Sequence, residues 1–191
     1  TNRTGRASAA PPHHQHTTPV IISLMSHQEH HAASPTHIRC YVLTISDTRT
    51  EETDAGGQLL REFLTGDGHR VVGHAIVPDE PTTLRDAIEQ QLDADEVQAV
   101  ITTGGTGISR RDGTFEVVSS LINKRIDGFG ELFRSLSFKE IGPSAMLSRA
   151  CAGTSRGKIL ISLPGSENAI TLGMTQLVLP ELGHLVREVT R

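Results

Sequence analysis

Ala99-Val-Ile-Thr-Thr-Gly-Gly-Thr-Gly-Ile-Ser-Arg-Arg-Asp112 is the stretch of the chain that decides the fold. An apolar, β-branched run ends abruptly at three glycines within four positions, and two arginines and an aspartate follow. The run has the length of a buried strand, and a loop without side chains lets a ligand approach backbone N–H groups closely. In open α/β sheets such loops lie at the carboxyl ends of strands, where ligands bind. Because arginine attracts anions and Asp112 can hold a hard cation such as Mg²⁺, the stretch predicts a site for a phosphate-bearing ligand.

The glycine loop fits neither of the two most familiar nucleotide-binding motifs. It lacks the Gly-Lys-Ser/Thr ending of a Walker phosphate loop, and it lacks the glycine spacing of a dinucleotide-binding fingerprint. A second interpretation stays open, in which the glycines only form a turn that lets a strand feed a helix. The rest of the sequence has to separate the two interpretations.

Apolar runs of strand length alternate with amphipathic segments from Ile38 to the end of the chain. Strands are predicted at residues 38–45, 71–77, 99–103 and 158–163. Helices are predicted at residues 54–64, 81–92, 114–121, 130–141, 145–152, 166–177 and 181–189, with Thr114 and Ser166 as N-terminal caps. Strands separated by helices of this length imply βαβ units, and therefore a parallel sheet with helices on both faces.

Residues 1–36 differ in composition from the rest of the chain. They are rich in His, Pro, Ser, Thr and Ala, and most of the ten histidines lie between His13 and His37. Their apolar content is too low to form a core, so we predict a disordered leader that the fold does not need. A His-rich tract can bind metal, but this spacing defines no closed site. Residues 37–191 form the predicted domain, which is long enough to bury a core without disulfides or metal.

Composition excludes several classes of function. The formal net charge is −4 and no basic stripe with interleaved aromatic residues is present, so nucleic-acid binding is not expected. Cys40 and Cys151 are the only cysteines, and their separation fits neither a zinc motif nor a disulfide framework. No apolar run approaches the roughly 18 residues that a membrane span needs. We therefore expect a cytoplasmic protein with reduced, buried thiols.

Polar residues follow each of the four predicted strands. Ser46 and Asp47 follow the first strand, Asp79 follows the second, and Asp112 lies beyond the glycine loop of the third. The fourth strand ends at Pro164-Gly165-Ser166. Because the carboxyl ends of parallel strands lie at one edge of a sheet, we expect these four turns to converge. Taken singly, each aspartate could instead serve a turn or a helix start.

The predicted convergence favours metal-assisted phosphoryl or nucleotidyl transfer. Two or three carboxylates at one phosphate-binding edge are what a site for a Mg²⁺–nucleotide complex requires. Arg110 or Arg111 is expected to clamp a phosphate, although either could be an ordinary solvated loop charge. Ser166 at a helix start could bind an anion or cap only its own helix. The sequence suggests no Ser-His-Asp or Cys-His arrangement of a nucleophilic enzyme.

Five motifs resemble those of the molybdenum cofactor biosynthesis family MoaB/MogA. They are Thr44-Ile-Ser-Asp-Thr-Arg49, Val77-Pro-Asp79, Thr102-Thr-Gly-Gly-Thr-Gly107 with Arg111-Asp112, Ser148-Arg-Ala150 and Leu163-Pro-Gly-Ser166. The resemblance runs from about Ile38 to the C-terminus, and residues 128–142 resemble the MoaB branch more closely than the MogA branch. It implies a three-layer α/β sandwich with a mostly parallel central sheet and helices on both faces.

The resemblance also implies an activity, which is Mg²⁺-dependent adenylyl transfer from ATP to molybdopterin with release of pyrophosphate. Carried over by motif, Asp79 and Asp112 are the expected catalytic residues and the expected ligands of Mg²⁺. The expected substrate-binding residues are Ser46, Asp47, Thr103, Gly104, Gly105, Thr106, Gly107, Arg111, Ser148, Arg149, Pro164, Gly165 and Ser166. The implied assembly is a homotrimer or homohexamer, with other proteins of the cofactor pathway as further partners.

Two motifs depart from the family pattern, and two other functions stay open. Glu167-Asn168 follows the Pro-Gly-Ser turn where family members commonly have Pro-Ala-like residues. Asp112-Gly-Thr-Phe115 stands where family members often have Asp-Val-Thr-Pro, which spares the carboxylate but leaves the helix start less rigid. The first alternative is a non-catalytic pterin-binding or scaffolding member, which has no evident need for Asp79 and Asp112. The second is a relative of the competence-damage family, whose members share the fold but tend to vary the glycine loop and to carry a further domain.

Overall fold

The structure of the protein is a computed structural model, and it describes Thr1 and residues 34–191. Strands and helices alternate along residues 34–191. They are numbered in chain order as β1 (Arg39–Ile45), α1 (Ala55–Gly66), β2 (Arg70–Val77), α2 (Pro81–Asp93), β3 (Ala99–Thr103), α3 (Thr114–Leu121), β4 (Lys124–Arg125), α4 (Asp127–Ile141), β5 (Cys151–Ser155), β6 (Lys158–Leu163), α5 (Glu167–Gly173) and α6 (Leu179–Val189). A 3₁₀ helix (Gly142–Leu147) follows α4, and a π-helical segment (Met174–Val178) joins α5 to α6.

The six strands of residues 34–191 form one mostly parallel sheet in the order β2-β1-β3-β6-β5-β4. The strands β1, β2, β3 and β6 run parallel, and β5 is antiparallel to both of its neighbours. All four predicted strands are confirmed, with β3 in the middle of the sheet. From β1 the chain passes to β2 on one side and then to β3 on the other. Such a switch point places a crevice at the carboxyl ends of β1 and β3.

Helices cover both faces of the sheet, as predicted. On one face α1, α4, α5 and α6 pack around Ile101 and Ile161, and on the other α2 and α3 pack around Val100 and Leu160. These four side chains are fully buried. Neighbouring residues of a strand point to opposite faces, so β3 contributes to both cores. Residues 34–191 therefore form a three-layer α/β sandwich.

The prediction of a helix over residues 145–152 is wrong. The 3₁₀ helix covers the beginning of this stretch and ends at Leu147, and the strand β5 begins at Cys151. A two-residue turn at Arg156 and Gly157, both with positive φ, connects β5 to β6 as an antiparallel hairpin. The sequence of β5 is Cys-Ala-Gly-Thr-Ser, whose small residues have little strand preference of their own. Pairing and burial therefore determine this strand.

The expectation that Thr114 caps the following helix is also wrong. Gly113 occupies the N-cap position of α3, and Thr114 is the first helical residue. Within the described residues, its buried hydroxyl has no hydrogen-bond partner, whereas its backbone N–H donates to Gly105 O at 3.1 Å. Ser166 does cap α5, as predicted, because its hydroxyl oxygen accepts from Ala169 N at 3.3 Å.

The C-terminal helix is longer and more apolar than the sequence prediction allowed. It runs from Glu167 to Val189 through the π-helical segment, and by length and composition alone it could cross a membrane. One such helix is a weak indication, because the core helix of a sandwich passes the same test. Its apolar side chains, among them Ile170, Val178 and Leu182, pack in the core against the sheet. One face of the helix therefore belongs to the core, and 33% of the residues in its most apolar 18-residue stretch are buried.

The predicted disordered leader is residues 1–36, and most of it, residues 2–33, lies outside the described residues. The domain boundary after residue 36 stays a prediction. Within the described part, a Cβ on Gly183 of α6 would lie 2.4 Å from Pro35 O. The chain therefore already packs on helix α6 at Pro35, just before the predicted boundary.

Candidate functional site

The predicted turns converge at the carboxyl edge of the sheet. The register pairs Thr44 of β1 with Thr103 of β3, and Thr103 with Leu163 of β6, so these three strands end side by side. Because β5 is antiparallel to β6, its first residue, Cys151, lies at the same edge. This direction explains how the Ser148-Arg-Ala150 motif reaches the site from a different part of the chain.

The glycine loop has a backbone conformation that only glycine adopts easily. Gly104 has a φ of +101° and Gly105 a φ of +61°. A Cβ on Gly104 would lie 2.3 Å from Ile45 O, and one on Gly105 would lie 2.1 Å from the hydroxyl oxygen of Thr114. The amide N–H groups of residues 105–108 donate to no acceptor in the described part of the chain. Successive free N–H groups of this kind form concavities that bind anions.

The first of two clefts at this edge lies where α1 and α5 begin, and we name it the helix-terminus cleft. Its volume is about 410 Å³. It is lined by Thr44, Ile45, Ser46, Arg49, Asp54, Ala55, Gly56, Thr103, Gly104, Gly165, Ser166 and Glu167. The N-terminal ends of helices carry partial positive charge, so the start of two helices favours an anionic group here.

The second cleft, which we name the glycine-loop cleft, lies between the loop and α4. Its volume is about 420 Å³. It is lined by Gly104, Gly105, Thr106, Gly107, Asp112, Phe133, Ser137, Ile141, Leu147, Ser148, Pro164, Gly165, Ser166 and Ala169. The apolar side chains suit a flat ring, and the loop beside them offers backbone N–H donors.

The two clefts share a wall that consists of Gly104, Gly165 and Ser166. The backbones are in close contact there, since a Cβ on Gly165 would lie 3.2 Å from the Cα of Gly104. The N–H of Gly104 donates to Leu163 O at 3.1 Å, which fixes the loop to the end of β6. Two ligands, one in each cleft, would therefore meet at a wall almost without side chains.

Asp79 and Asp112 each have one carboxylate oxygen that accepts from a backbone N–H and one without a hydrogen-bond partner among residues 34–191. Asp79 Oδ1 accepts from Gly113 N at 3.2 Å, and Asp112 Oδ2 accepts from Ser109 N at 2.8 Å. Burial raises the pKa of Asp79, the Gly113 hydrogen bond lowers it, and the negative charges of Asp112 and Asp47 raise it further. A carboxylate in such surroundings is a candidate for holding a cation.

The two carboxylates fit a Mg²⁺ ion that arrives with a phosphate ligand. Among residues 34–191, no three His, Cys, Asp or Glu side chains are grouped to hold a metal ion. Mg²⁺ in nucleotide sites commonly takes one or two carboxylates and keeps phosphate oxygens and waters as its other ligands. Asp112 lines the glycine-loop cleft, and Asp79 Oδ2 would lie 2.5 Å from a Cβ on Gly105, behind the loop. A shared cation would relieve the repulsion between them.

Asp47 and Arg111 contact each other and line neither cleft. Asp47 Oδ1 accepts from Asp79 N at 3.2 Å, and Asp47 Oδ2 accepts from the Arg111 guanidinium. The hydrogen bond from Arg111 lowers the pKa of Asp47. The side chain of Arg111 is 69% exposed, and an ion pair this open to solvent contributes little stability. Its effect is to tie the turn after β1 to Asp79 and to the end of the loop.

Most of the remaining predicted residues line the clefts, while several of their side chains also hold turns. The Ser46 hydroxyl oxygen accepts from two N–H groups of its own turn, at 3.1 and 3.2 Å. The Thr103 hydroxyl donates to Pro164 O at 3.1 Å. Arg149 lies outside both clefts and donates to loop carbonyls. The roles of these residues in substrate binding stay predictions.

Sequence reasoning missed residues that reach the clefts only through tertiary packing. Phe133 and Ser137 lie on α4, which lines the same cleft as the glycine loop, and the resemblance of residues 128–142 to the MoaB branch assigned neither of them a role. Asp54 had a usable signal, because an aspartate directly before a helix is a typical N-cap. It is 4% exposed and accepts from Gly57 N at 2.9 Å and from the Thr44 hydroxyl at 2.7 Å.

A larger cleft of about 620 Å³ lies away from these residues, beside α1 and the last helix. It is lined by Leu59, Glu62, Phe63, Gly66, Asp67, Thr175, Leu179 and Pro180. The charged side chains in this lining are both acidic, and none of the predicted site residues takes part. This cleft does not suit a phosphate ligand.

Comparison with known proteins agrees with the fold. The sequence profile of the family described as a probable molybdopterin binding domain matches residues 41–184. The molybdenum cofactor biosynthesis protein B of Bacillus cereus is 51% identical over 168 residues, which are 87% of this chain and 99% of that protein.

Solved structures give the same result. The crystal structure of a molybdenum cofactor biosynthesis protein B superposes with a TM-score of 0.79 at 51% identity, covering 82% of this chain and 98% of that one. The tungsten cofactor synthesizing protein MoaB of Pyrococcus furiosus gives a TM-score of 0.70 at 35% identity, covering 83% of this chain and 100% of that one. The chain therefore belongs to the molybdenum cofactor biosynthesis family MoaB/MogA, in its MoaB branch.

Proposed function

We propose that this protein catalyses Mg²⁺-dependent adenylyl transfer from ATP to molybdopterin. One observation carries the proposal, namely that two clefts meet at the shared wall with Asp112 beside it and Asp79 behind the loop. A reaction that joins two phosphate groups needs donors and a cation where the negative charges meet. In support of this, free backbone N–H groups and the Asp112 carboxylate border the glycine-loop cleft, and the Asp79 carboxylate lies behind the loop. Similarity to molybdenum cofactor biosynthesis proteins supports the pterin as one substrate.

The two clefts suit the two substrates differently. The apolar wall of the glycine-loop cleft, with Phe133 and Ile141, suits the pterin ring system. The helix-terminus cleft, with two helix starts and Arg49, suits the phosphates of ATP. In this arrangement the phosphate ends of both substrates point to the shared wall.

In the proposed step, an oxygen of the terminal phosphate of molybdopterin attacks the α-phosphorus of ATP. A new P–O bond forms while the bond from the α-phosphorus to the oxygen that bridges to the β-phosphate breaks. Pyrophosphate leaves with that bridging oxygen and its electron pair. The attacking phosphate is already ionised at neutral pH, so positioning and charge neutralisation dominate the barrier. The product is adenylyl-molybdopterin.

The residues of the chain would bind and orient the two substrates and would hold the cation that neutralises the phosphate charges. The N–H groups of residues 105–108 would hold phosphate oxygens at the reaction centre. Asp112 and Asp79 would hold Mg²⁺, which supplies neutralisation of the phosphates that approach each other. The close contact of Gly104 and Gly165 keeps side chains out of the passage between the clefts.

Pyrophosphate release tests the proposal. We expect release only when ATP, Mg²⁺ and molybdopterin are all present, and none when any one of them is omitted. A pterin that lacks the terminal phosphate serves as the control, because it has no nucleophile. Release at the same rate without pterin would contradict adenylyl transfer and indicate ATP hydrolysis. Absence of release with pterin bound would favour a binding or scaffolding protein.

Asp47→Asn is expected to move the acid limb of the pH–activity profile to lower pH. The amide oxygen can still accept from Asp79 N, but the negative charge that adds to burial in raising the pKa of Asp79 is gone. A carboxyl with one negative neighbour fewer ionises more readily, so Asp79 stays charged in more acidic solution. The measurement is kcat/KM against pH, with Asp86→Asn on the exposed side of α2 as the control. An acid limb that does not move, or moves to higher pH, would contradict the coupling.

The expected homotrimer or homohexamer has a candidate surface. Large apolar side chains on α4 and the 3₁₀ helix are 51–77% exposed, namely Leu132, Phe138, Ile141, Met146 and Leu147. Apolar patches of this kind commonly mark protein interfaces. Light scattering should give three or six times the mass of the chain, and Leu132→Asp combined with Phe138→Asp should lower it. A monomer mass across micromolar concentrations would contradict this assembly. A cytoplasmic location and contacts with other pathway proteins stay predictions.

A further inference from the structure

Arg149 donates to three carbonyl groups of the glycine loop. Nε donates to Thr106 O at 2.9 Å, and Nη2 donates to Gly107 O and, at 3.3 Å, to Asp112 O. Nη1 donates to the carboxylate of Glu116. All three guanidinium nitrogens therefore donate to acceptors of the protein, and they connect the start of the loop to its end.

The neighbours of Arg149 fix the orientation of its guanidinium. Its Cζ lies 4.9 Å from the centre of the Phe115 ring, and it forms an ion pair with Glu116, the residue that follows Phe115 in α3. Only 21% of the Arg149 side chain is exposed. Stacking on a ring and pairing with a carboxylate hold a planar guanidinium as a rigid fork. Such a fork can set the direction of the carbonyls that it binds.

Peptide geometry carries this orientation to the opposite side of the loop. The described residues contain no cis peptide bond, and in a trans peptide the C=O and N–H groups point in opposite directions. The N–H groups of Gly107 and Ile108 therefore point away from Arg149. The N–H of Gly113 belongs to the same peptide as Asp112 O, and it donates to Asp79 Oδ1 at 3.2 Å. One peptide thus links Arg149 to Asp79.

We infer that Arg149 is a positioning residue that holds the glycine loop by its carbonyl side, so that the loop N–H groups face the reaction centre and Asp79 keeps its place behind the loop. In this role Arg149 acts through the loop and does not contact the substrate, whereas its motif led us to expect a substrate-binding residue. Polarisation of the Asp112–Gly113 peptide by the guanidinium strengthens the hydrogen bond from Gly113 N to Asp79. Polarisation of the two loop peptides makes the N–H groups of Gly107 and Ile108 stronger donors. The inference deepens the proposed adenylyl transfer, and the kinetic part of its test rests on that proposal.

Amide exchange, measured residue by residue by NMR on the full chain, tests the inference without any substrate. The reporters are the N–H groups of Ser109, Asp112, Gly113 and Thr114, because their hydrogen bonds depend on the loop conformation. In Arg149→Ala these four should exchange on the order of tenfold faster or more. Amides in the middle of β3 and β6 should keep their rates.

A matched control and a conservative variant sharpen the test. Arg125 stacks on the same Phe115 ring at 5.7 Å but donates to Asp127 and Ser119 and not to the loop. Arg125→Gln should therefore leave the four reporters unchanged. Arg149→Lys keeps the charge but loses the fork, so it should restore the exchange rates in part. It also provides a folded variant where alanine prevents folding.

Steady-state kinetics provide the second readout. Arg149→Ala should lower kcat/KM for adenylyl transfer on the order of tenfold or more, with both kcat and KM affected, and Arg149→Lys should recover part of the loss. Unchanged loop exchange together with a raised KM would mean direct substrate contact and would overturn the inference. Equal acceleration of the four reporters in Arg125→Gln would overturn it as well. If the wild-type protein transfers no adenylyl group, faster loop exchange in Arg149→Ala still supports the inference while the proposed function fails.

Discussion

Replacing Asp112 by Asn is expected to lower the rate of adenylyl transfer about a hundredfold or more, with pterin binding retained. The amide keeps the size of the side chain and can still accept from Ser109 N, so the loop should keep its conformation. It loses the negative charge that attracts Mg²⁺ where two phosphates meet. The effect should therefore fall on kcat and much less on the dissociation constant of the pterin. Turnover and pterin binding are measured on the same preparation.

Asp79→Asn should give a loss of similar size, and Asp86→Asn should give none. The side chain of Asp79 accepts from Gly113 N, which an amide oxygen can also do, and the backbone N–H of residue 79 still donates to Asp47. Asp86 is exposed on α2 and lies outside both clefts, so it controls for a general effect of removing one carboxylate. Full activity in both site variants would remove the catalytic assignment of these aspartates.

Gly104→Ala is expected to destabilise the fold by about 3 kcal/mol, because two costs add at one position. The φ of +101° is unfavourable for any residue with a side chain, and the new Cβ would lie 2.3 Å from Ile45 O. That oxygen belongs to the backbone of β1 and cannot move without shifting the strand. For a domain of this size the loss corresponds to roughly 6–12 °C in Tm.

Gly128→Ala in α4 is the matched control for Gly104→Ala. A Cβ at Gly128 would meet nothing within 4 Å, and alanine is a better helix former, so this variant should melt at or slightly above the wild-type temperature. The measurement is thermal unfolding followed by circular dichroism. If Gly104→Ala melts together with the wild type, the account of the loop conformation is incorrect.

The parts of the fold that could be predicted are those with strong local patterns. The strand β3 is buried on both faces, so its sequence is a continuous apolar run. The helix α2 is buried on one face, so its apolar residues recur at helical spacing. The strand β5 could not be predicted, since its small residues become a strand only when they pair with β6. The sequence predicts two helices, at residues 166–177 and 181–189, where the structure has one long helix from Glu167 to Val189 with Pro180 inside it.

The site could be predicted where it lies at the ends of strands and not where it depends on packing. Gly104 and Asp112 follow β3 directly, so the topology of a parallel sheet places them. Ser137 lies in the glycine-loop cleft only because tertiary packing brings α4 beside the loop, and the resemblance of residues 128–142 did not indicate that contact. Arg149 lies in a motif, but the sequence alone cannot distinguish a guanidinium that binds substrate from one that holds the loop.

The most direct test of the account follows the α-phosphate of ATP. The wild-type protein is incubated with molybdopterin, Mg²⁺ and ATP labelled at the α-phosphate, and the pterin product is isolated and counted. The account predicts that the label moves to the pterin in a one-to-one ratio with the pyrophosphate released. Label that stays in unreacted ATP, while the protein demonstrably binds molybdopterin, would contradict catalysis and leave a pterin-binding protein.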